Sequence, residues 1–90
     1  PMDYEWDPAK AAANLRKHKV DFADAVLALE DPLARTVHDS DASGEERYVS
    51  LGSDPAGRLL VTVFTRRRKR IRVISSRRAS PAERRHYEEH

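Results

Sequence analysis

At Asp31-Pro32 the apolar pattern changes period, and that break divides the chain into a helical opening and a sheet that follows. Upstream of it, Phe22, Ala25, Val26 and Leu29 recur at i, i+3, i+4 and i+7, the spacing of one helix face. Asp21 is a good N-cap for that helix, and Val20 before the cap can staple onto Ala25. An earlier helix is expected over residues 9–18. Asp7 caps it, and Pro8 suits its first position, where the missing N–H costs nothing. Arg16, Lys17 and His18 fall in its last turn, where the helix dipole favours cations. A short strand over residues 4–6 precedes Asp7-Pro8.

Downstream the chain reads as extended. Residues 33–38 form a weakly alternating strand, and residues 39–45, with Ser, Asp and Gly, form a loop. Arg47, Val49 and Leu51 alternate with Tyr48, Ser50 and Gly52 as a half-buried strand does. Asp54-Pro55-Ala56-Gly57 turns the chain into residues 59–65, whose Leu59, Leu60, Val61, Val63 and Phe64 serve both faces and mark a central strand. A basic hairpin at residues 66–70 leads into Ile71, Val73 and Ile74. Ser80-Pro81-Ala82-Glu83 then combines an N-cap, a first-turn proline and a capping-box glutamate, opening a last helix to about residue 89. The expected order is β-α-α-β-β-β-β-α: an α+β fold, with two N-terminal helices and one C-terminal helix on a largely antiparallel sheet.

Ninety residues make one domain, over residues 2–90 once Pro1, which reads as a cloning remnant, is set aside. With no cysteine there is no disulfide or thiolate zinc site. No apolar run reaches the ~20 residues of a membrane span and no signal peptide precedes Trp6, so a cytoplasmic protein is expected. The net charge of +2 hides a segregation. Residues 2–65 hold 7 Lys/Arg against 12 Asp/Glu, and residues 66–90 hold 10 against 3. Arg66, Arg67, Arg68, Lys69, Arg70, Arg72, Arg77 and Arg78 fall within 13 positions that contain no acid. Such a block points to a polyanion, of which nucleic acid is the commonest.

Several islands carry a resemblance that spans nearly the whole chain in order. Trp6-Asp7-Pro8-Ala9-Lys10, Asn14 and Lys17-His18 stand near the start, followed by Val20-Asp21-Phe22-Ala23-Asp24-Ala25 and Asp31-Pro32. Glu46-Arg47 and residues 58–65 come next, then Ile71-Arg72-Val73-Ile74-Ser75-Ser76-Arg77-Arg78-Ala79, Glu83-Arg84 and Tyr87. Together they resemble the BrnT family of ribonuclease toxins, whose fold is similar to RelE-type ribonucleases. Lys19 departs from the family's usual glycine after Lys-His, so either a lysine takes the left-handed C-cap or the turn differs. The Arg66–Arg70 run is more basic than the family's last hairpin usually is.

The resemblance implies RNA cleavage without a metal or other cofactor, by attack of the ribose 2′-hydroxyl on the adjacent phosphate. It also implies a partner, a BrnA-like, ribbon-helix-helix DNA-binding antitoxin, in a heterotetramer. The reaction needs a base, a proton for the leaving 5′-oxygen, and cations for charge developing on phosphate. Arg77 and Arg47 are candidates for the cations, because the guanidinium fork can grip two phosphate oxygens. Lys17 and His18 supply the remaining groups. Each has a plainer alternative: Arg77 as a surface ion pair with Glu83, Arg47 paired with Glu45 or Glu46, Lys17 and His18 as complements to a helix end. Arg66, Arg67, Arg70, Arg72 and Arg78 are assigned to holding RNA backbone. Tyr87 either stacks on a base or packs against the sheet.

His18, His38, His86 and His90 form no metal signature, although His86 and His90 are four apart. The absence of a Gly-rich phosphate loop, of GxSxG and of a cysteine nucleophile excludes hydrolases of those classes. A non-catalytic nucleic-acid-binding module using the same basic third remains the alternative, and the Lys17-His18 pair is what separates the two. An interaction-only scaffold docking an acidic partner segment is a third reading.

Overall fold

Three side-chain caps start the three helices of the computed structural model, which describes residues 2–39 and 46–89. Asp7 accepts from the Ala9 N–H and Asp21 from the Ala23 N–H, both at 2.9 Å. Ser80 accepts from the Glu83 N–H at 3.2 Å while the Glu83 carboxylate accepts from the Ser80 N–H at 2.8 Å, closing the capping box. These caps open α1 (Pro8–His18), α2 (Phe22–Leu29) and α3 (Pro81–Glu88). The strands are β1 (Asp3–Glu5), β2 (Arg35–Asp39), β3 (Arg47–Ser53), β4 (Leu59–Arg67) and β5 (Arg70–Arg78). The chain is therefore α+β in the expected element order. The expected loop over residues 39–45 lies mostly outside the described residues, and so does His90.

The sheet runs β1-β5-β4-β3-β2, with antiparallel neighbours throughout β2 to β5. β4 is central, as its double-sided apolar run requires. β1 lies parallel to β5 and pairs with Arg70, Ile71 and Arg72; among the described residues no strand covers the rest of that edge of β5. Trp6 has left the strand and meets Phe22 edge-on, ring centres 6.0 Å apart.

α1 and α2 cover one face. Phe22, Ala25 and Val73 form one buried cluster, with Trp6, Ala11, Val26 and Leu29 packed against it. Val20, Ala28 and Leu60 form another, so Val20 packs one turn further along α2 than the staple to Ala25 would place it. Burial of Phe22 alone contributes on the order of 2–3 kcal/mol. Gly52 lets α2 settle onto β3: a Cβ there would stand 2.4 Å from the Ala28 carbonyl oxygen.

Lys19 does take the left-handed C-cap, at φ 60°, with its N–H donating to the Leu15 carbonyl at 3.0 Å. A lysine in that region costs roughly 1 kcal/mol relative to glycine. Arg58 holds it there. Its Nη1 donates to the Lys19 carbonyl at 3.1 Å, its Nη2 to Asp24 at 3.0 Å and its Nε to Asp54 at 2.9 Å. The opposite face carries α3, no residue of which is buried. Among the described residues no helix is long and apolar enough to cross a membrane.

Candidate functional site

Side chains directly opposite one another on neighbouring strands share a face, so the register sorts the candidate residues. Thr65 pairs with Arg47 on β3 and with Arg72 on β5; Asp39 on β2 and Glu5 on β1 extend the same row. Arg67 and Arg70 pair one pleat nearer the hairpin tip, and Arg77 faces Val61 at the far end of β5. All of these lie on the α3 face. By simple alternation Arg72 and Arg77, five residues apart, would fall on opposite faces. An irregularity between Val63 and Phe64 leaves Ile74 unpaired and brings both to one side. The same shift sends Arg78 to the α1/α2 face, opposite Leu60. Arg66 is on that face too, with its guanidinium 5.4 Å from the centre of the Tyr48 ring.

The basic hairpin is tighter than a five-residue tip. Strand pairing continues to Arg67 and Arg70, leaving Arg68 and Lys69 as the turn, and Arg68 takes φ 57°. Arg67, Arg68, Lys69 and Arg70 line a cavity of about 390 Å³ with Asp3, on the side of the tip where β1 begins.

The arginines differ in what they already hold. Arg77 grips Glu83 through two parallel bonds of 2.9 Å, and Glu83 in turn sits in the α3 capping box. Hydrogen bonds from Arg77, then from the Ser80 backbone, hold the Glu83 carboxyl at about 2 against burial pushing the other way. The surface pair with Glu83 is therefore formed. Arg72 and Arg70 bond Glu5 at 3.0 and 3.4 Å; burial pushes that carboxyl up, but the two guanidiniums outweigh it and hold it below its usual range. Arg47 has no such partner: its Nε is buried without a hydrogen bond, and no carboxylate of a described residue pairs with it. The Glu46 carboxylate instead accepts from the Tyr48 hydroxyl at 3.1 Å and stands 3.9 Å from His38. Glu45 lies outside the described residues. Beside Arg47, the Thr65 Oγ1 is also buried and unpartnered.

Lys17 and His18 end α1 at the strand-free edge of β5. They line a shallow cleft of about 230 Å³ with Lys10, Ala13, Asn14, Ile74 and Ser75. Ser75 faces the same side as Arg77, two residues along β5 or roughly 7 Å. Lys17 and His18 thus share a cleft with Ser75, while Arg77 lies further along β5 and is not part of that lining. Arg47 stands apart, two strands over and one pleat towards the tip from Ser75, roughly 12 Å by strand geometry.

Three residues of structural weight were given no role by the sequence. Asn14 is buried in α1; its Nδ2 donates to the Val20 and Ser76 carbonyls at 3.0 and 2.8 Å, and its Oδ1 accepts from the Ser76 N–H at 3.0 Å. A side-chain amide thereby replaces the strand that β5 lacks there. Its signal was a polar residue on the inward side of an alanine-rich helix. Arg58 was marked only by following a turn that begins with Asp54. Thr65 carried no signal beyond its place in an apolar strand. The Tyr87 hydroxyl donates to Asp31 at 2.6 Å, which, with burial and the carboxylate's charge, pushes the phenol up to about 12.

The family model described as the ribonuclease toxin, BrnT, of type II toxin–antitoxin systems matches residues 6–83. The crystal structure of the Brucella abortus ribonuclease toxin BrnT superposes with a TM-score of 0.69 at 26% identity, over 89% of this chain and 99% of that one. No curated protein sequence matches the chain significantly.

Proposed function

Because the chain belongs to the BrnT ribonuclease toxins of type II toxin–antitoxin systems, we propose that it cleaves RNA on the α3 face of its sheet and at the adjoining edge of β5. Membership brings an RNA target and an antitoxin partner. The observation that carries the placement is the register: it turns Arg47, Arg67, Arg70, Arg72 and Arg77 to one side of the sheet.

The 2′-hydroxyl of one nucleotide attacks the adjacent phosphorus, the 5′-oxygen leaves, and a 2′,3′-cyclic phosphate remains. His18 and Lys17 serve as base and proton donor, a reading supported by their sharing one cleft with Ser75. Arg77 takes the charge that develops on the reacting phosphate. Arg47, expected to share that task, lies too far across the sheet and meets a phosphate further along the RNA, and Arg67, Arg70 and Arg72 hold backbone. Arg66 and Arg78 serve RNA that wraps the hairpin or the far edge. On this reading the step uses no metal. Cleavage inhibits translation in the cytoplasm, and a ribbon-helix-helix antitoxin of the BrnA kind silences it in a heterotetramer.

The test is His18→Gln measured on one RNA for both binding and cleavage. Cleavage should slow by roughly 10²-fold or more with affinity unchanged, and the parent should keep its rate in EDTA. Parental cleavage by the variant places the base elsewhere. RNA bound without any cleavage by the parent leaves only a binding module.

A further inference from the structure

On the α3 face, Arg47 and Thr65 are cross-strand partners in the middle of the sheet. Thr65 is fully buried, and its Oγ1 has no hydrogen-bond partner. The neighbouring Arg47 Nε is in the same condition. These are the two buried side-chain polar atoms left unsatisfied among the described residues. Buried polar atoms are nearly always paired, because an unpaired one costs stability and gains nothing in the free protein. Two of them, side by side on one row, mark a place built for something else.

Their chemistry says what it is. Both atoms donate hydrogen bonds, Arg47 from a guanidinium and Thr65 from a hydroxyl whose hydrogen is free to turn. Every other arginine of the row and of the α3 anchor is neutralised: Arg72 by Glu5 and Arg77 by Glu83. Among the described residues no carboxylate pairs with Arg47, and a guanidinium beside a hydroxyl suits an anion with several acceptor oxygens. The row continues to Arg72, and the next pleat towards the tip presents Arg67 and Arg70, so a polyanion lying along the face passes over the pair. Arg47 is only half-buried, so its guanidinium can turn aside and admit an oxygen to the hydroxyl below.

We propose that Arg47 Nε and Thr65 Oγ1 form a phosphate subsite of the RNA path, about two strands from the cleft of Lys17 and His18. The proposal rests on the ribonuclease reading for the identity of the anion, and on the two orphaned donors for the site. Thr65 touches substrate here and takes no part in proton transfer. In this arrangement the loss of stability from leaving the pair unsatisfied is recovered when phosphate binds.

The experiment uses the purified full chain and a short 2′-O-methyl RNA oligonucleotide, which binds but lacks the attacking hydroxyl. Thr65→Val keeps the shape and removes the donor. It should weaken binding roughly tenfold or more, the range for a hydrogen bond to a charged group, and its thermal midpoint should equal or exceed the parent's. Thr65→Ser, which keeps the hydroxyl, should retain most of the affinity. In an Arg47→Gln background Thr65→Val should add little, because the two donors serve one phosphate. Parental affinity in Thr65→Val overturns the site. So does a clear fall in its melting temperature, which would mean that the hydroxyl holds the fold, and so does a parent that does not bind the oligonucleotide. A parent that binds it yet leaves unmodified RNA intact removes the ribonuclease reading and leaves the subsite standing.

Discussion

On one face of the sheet α1 and α2 bury Val20, Phe22, Ala25 and Ala28 to 1% exposure or less, while on the other α3 buries no residue at all. The first face is closed by apolar contact and then locked by polar clamps, Asn14 on the edge of β5 and Arg58 across Lys19, Asp24 and Asp54. On the second, polar attachments stand out: Arg77 to Glu83, the Tyr87 hydroxyl to Asp31, and Arg35 to the His86 carbonyl at 3.2 Å. Between α3 and the sheet an apolar groove of about 210 Å³ stays open, lined by Val37, Val49, Leu51 and Val61. Stability resides on one side and the unsatisfied chemistry on the other. On the second face the fold leaves Arg47 Nε and Thr65 Oγ1 without a partner, while Arg70, Arg72 and Arg77 already hold carboxylates.

The largest effect should come from breaking the locked face. Asn14→Ala strips three hydrogen bonds from backbone groups at Val20 and Ser76 in a buried setting, and should cost about 3 kcal/mol. Chemical denaturation of the variant measures it. A loss below about 1 kcal/mol would mean that water replaces the amide at the β5 edge, and the contrast between the faces would shrink accordingly.

An intermediate effect tests the α3 side. Tyr87→Phe removes one hydroxyl and should cost about 1 kcal/mol, the usual net worth of a hydrogen bond. Burial pushes the Asp31 carboxyl up, and the Tyr87 hydroxyl with the Ser53 and Leu33 N–H groups outweighs it and holds the group below its usual range. Asp31 should therefore titrate higher in the variant, which a carbon-detected NMR titration reads directly. An unshifted Asp31 would show that the backbone donors suffice.

The sequence legibly carried the elements and much less of the site, and the reason is geometric. Helix caps, the period change at Asp31-Pro32 and the double-sided run at Leu59–Phe64 are local signals that the helices and β3 follow closely. β4 instead runs on to Arg67, and β5, expected to end near Ile74, runs on to Arg78 and takes in Arg77. β1 beside β5 is a pairing between residues more than sixty positions apart, through three residues, and nothing local encodes it. The irregularity at Ile74 has the same character. One unpaired residue reverses which arginines share a face, so the sequence could nominate Arg72, Arg77 and Arg78 but could not say that Arg77 joins Arg72 and Arg78 does not. Thr65 is the extreme case, since a threonine in an apolar strand becomes notable only when its hydroxyl proves to have no partner.

The smallest effect is the sharpest test of the contrast, because it uses acid to loosen one face before the other. The Glu83 carboxyl is depressed from its ordinary 4.5 to about 2 by Arg77 and the Ser80 backbone. A carboxyl depressed on folding contributes stability in full above its unfolded value, and the contribution fades as pH falls through the folded value. The Arg77–Glu83 attachment should thus weaken between about pH 4.5 and 2. The two side chains are 45% and 33% exposed, so solvent screening keeps the pair to roughly 0.5 kcal/mol. Asp54 on the other face is also held below its usual range: burial pushes it up, but Arg58 and the backbone N–H groups outweigh that. Acid therefore reaches the Arg58 clamp as well, but there α2 keeps Phe22, Ala25 and Ala28 in the core, whereas α3 has no buried residue to fall back on. Hydrogen exchange of the α3 amides should accelerate below about pH 4 while the α2 amides stay protected, and Arg77→Gln should remove most of the pH dependence at α3 without moving α2. Simultaneous loss of protection in both helices would show that the two faces open as one unit.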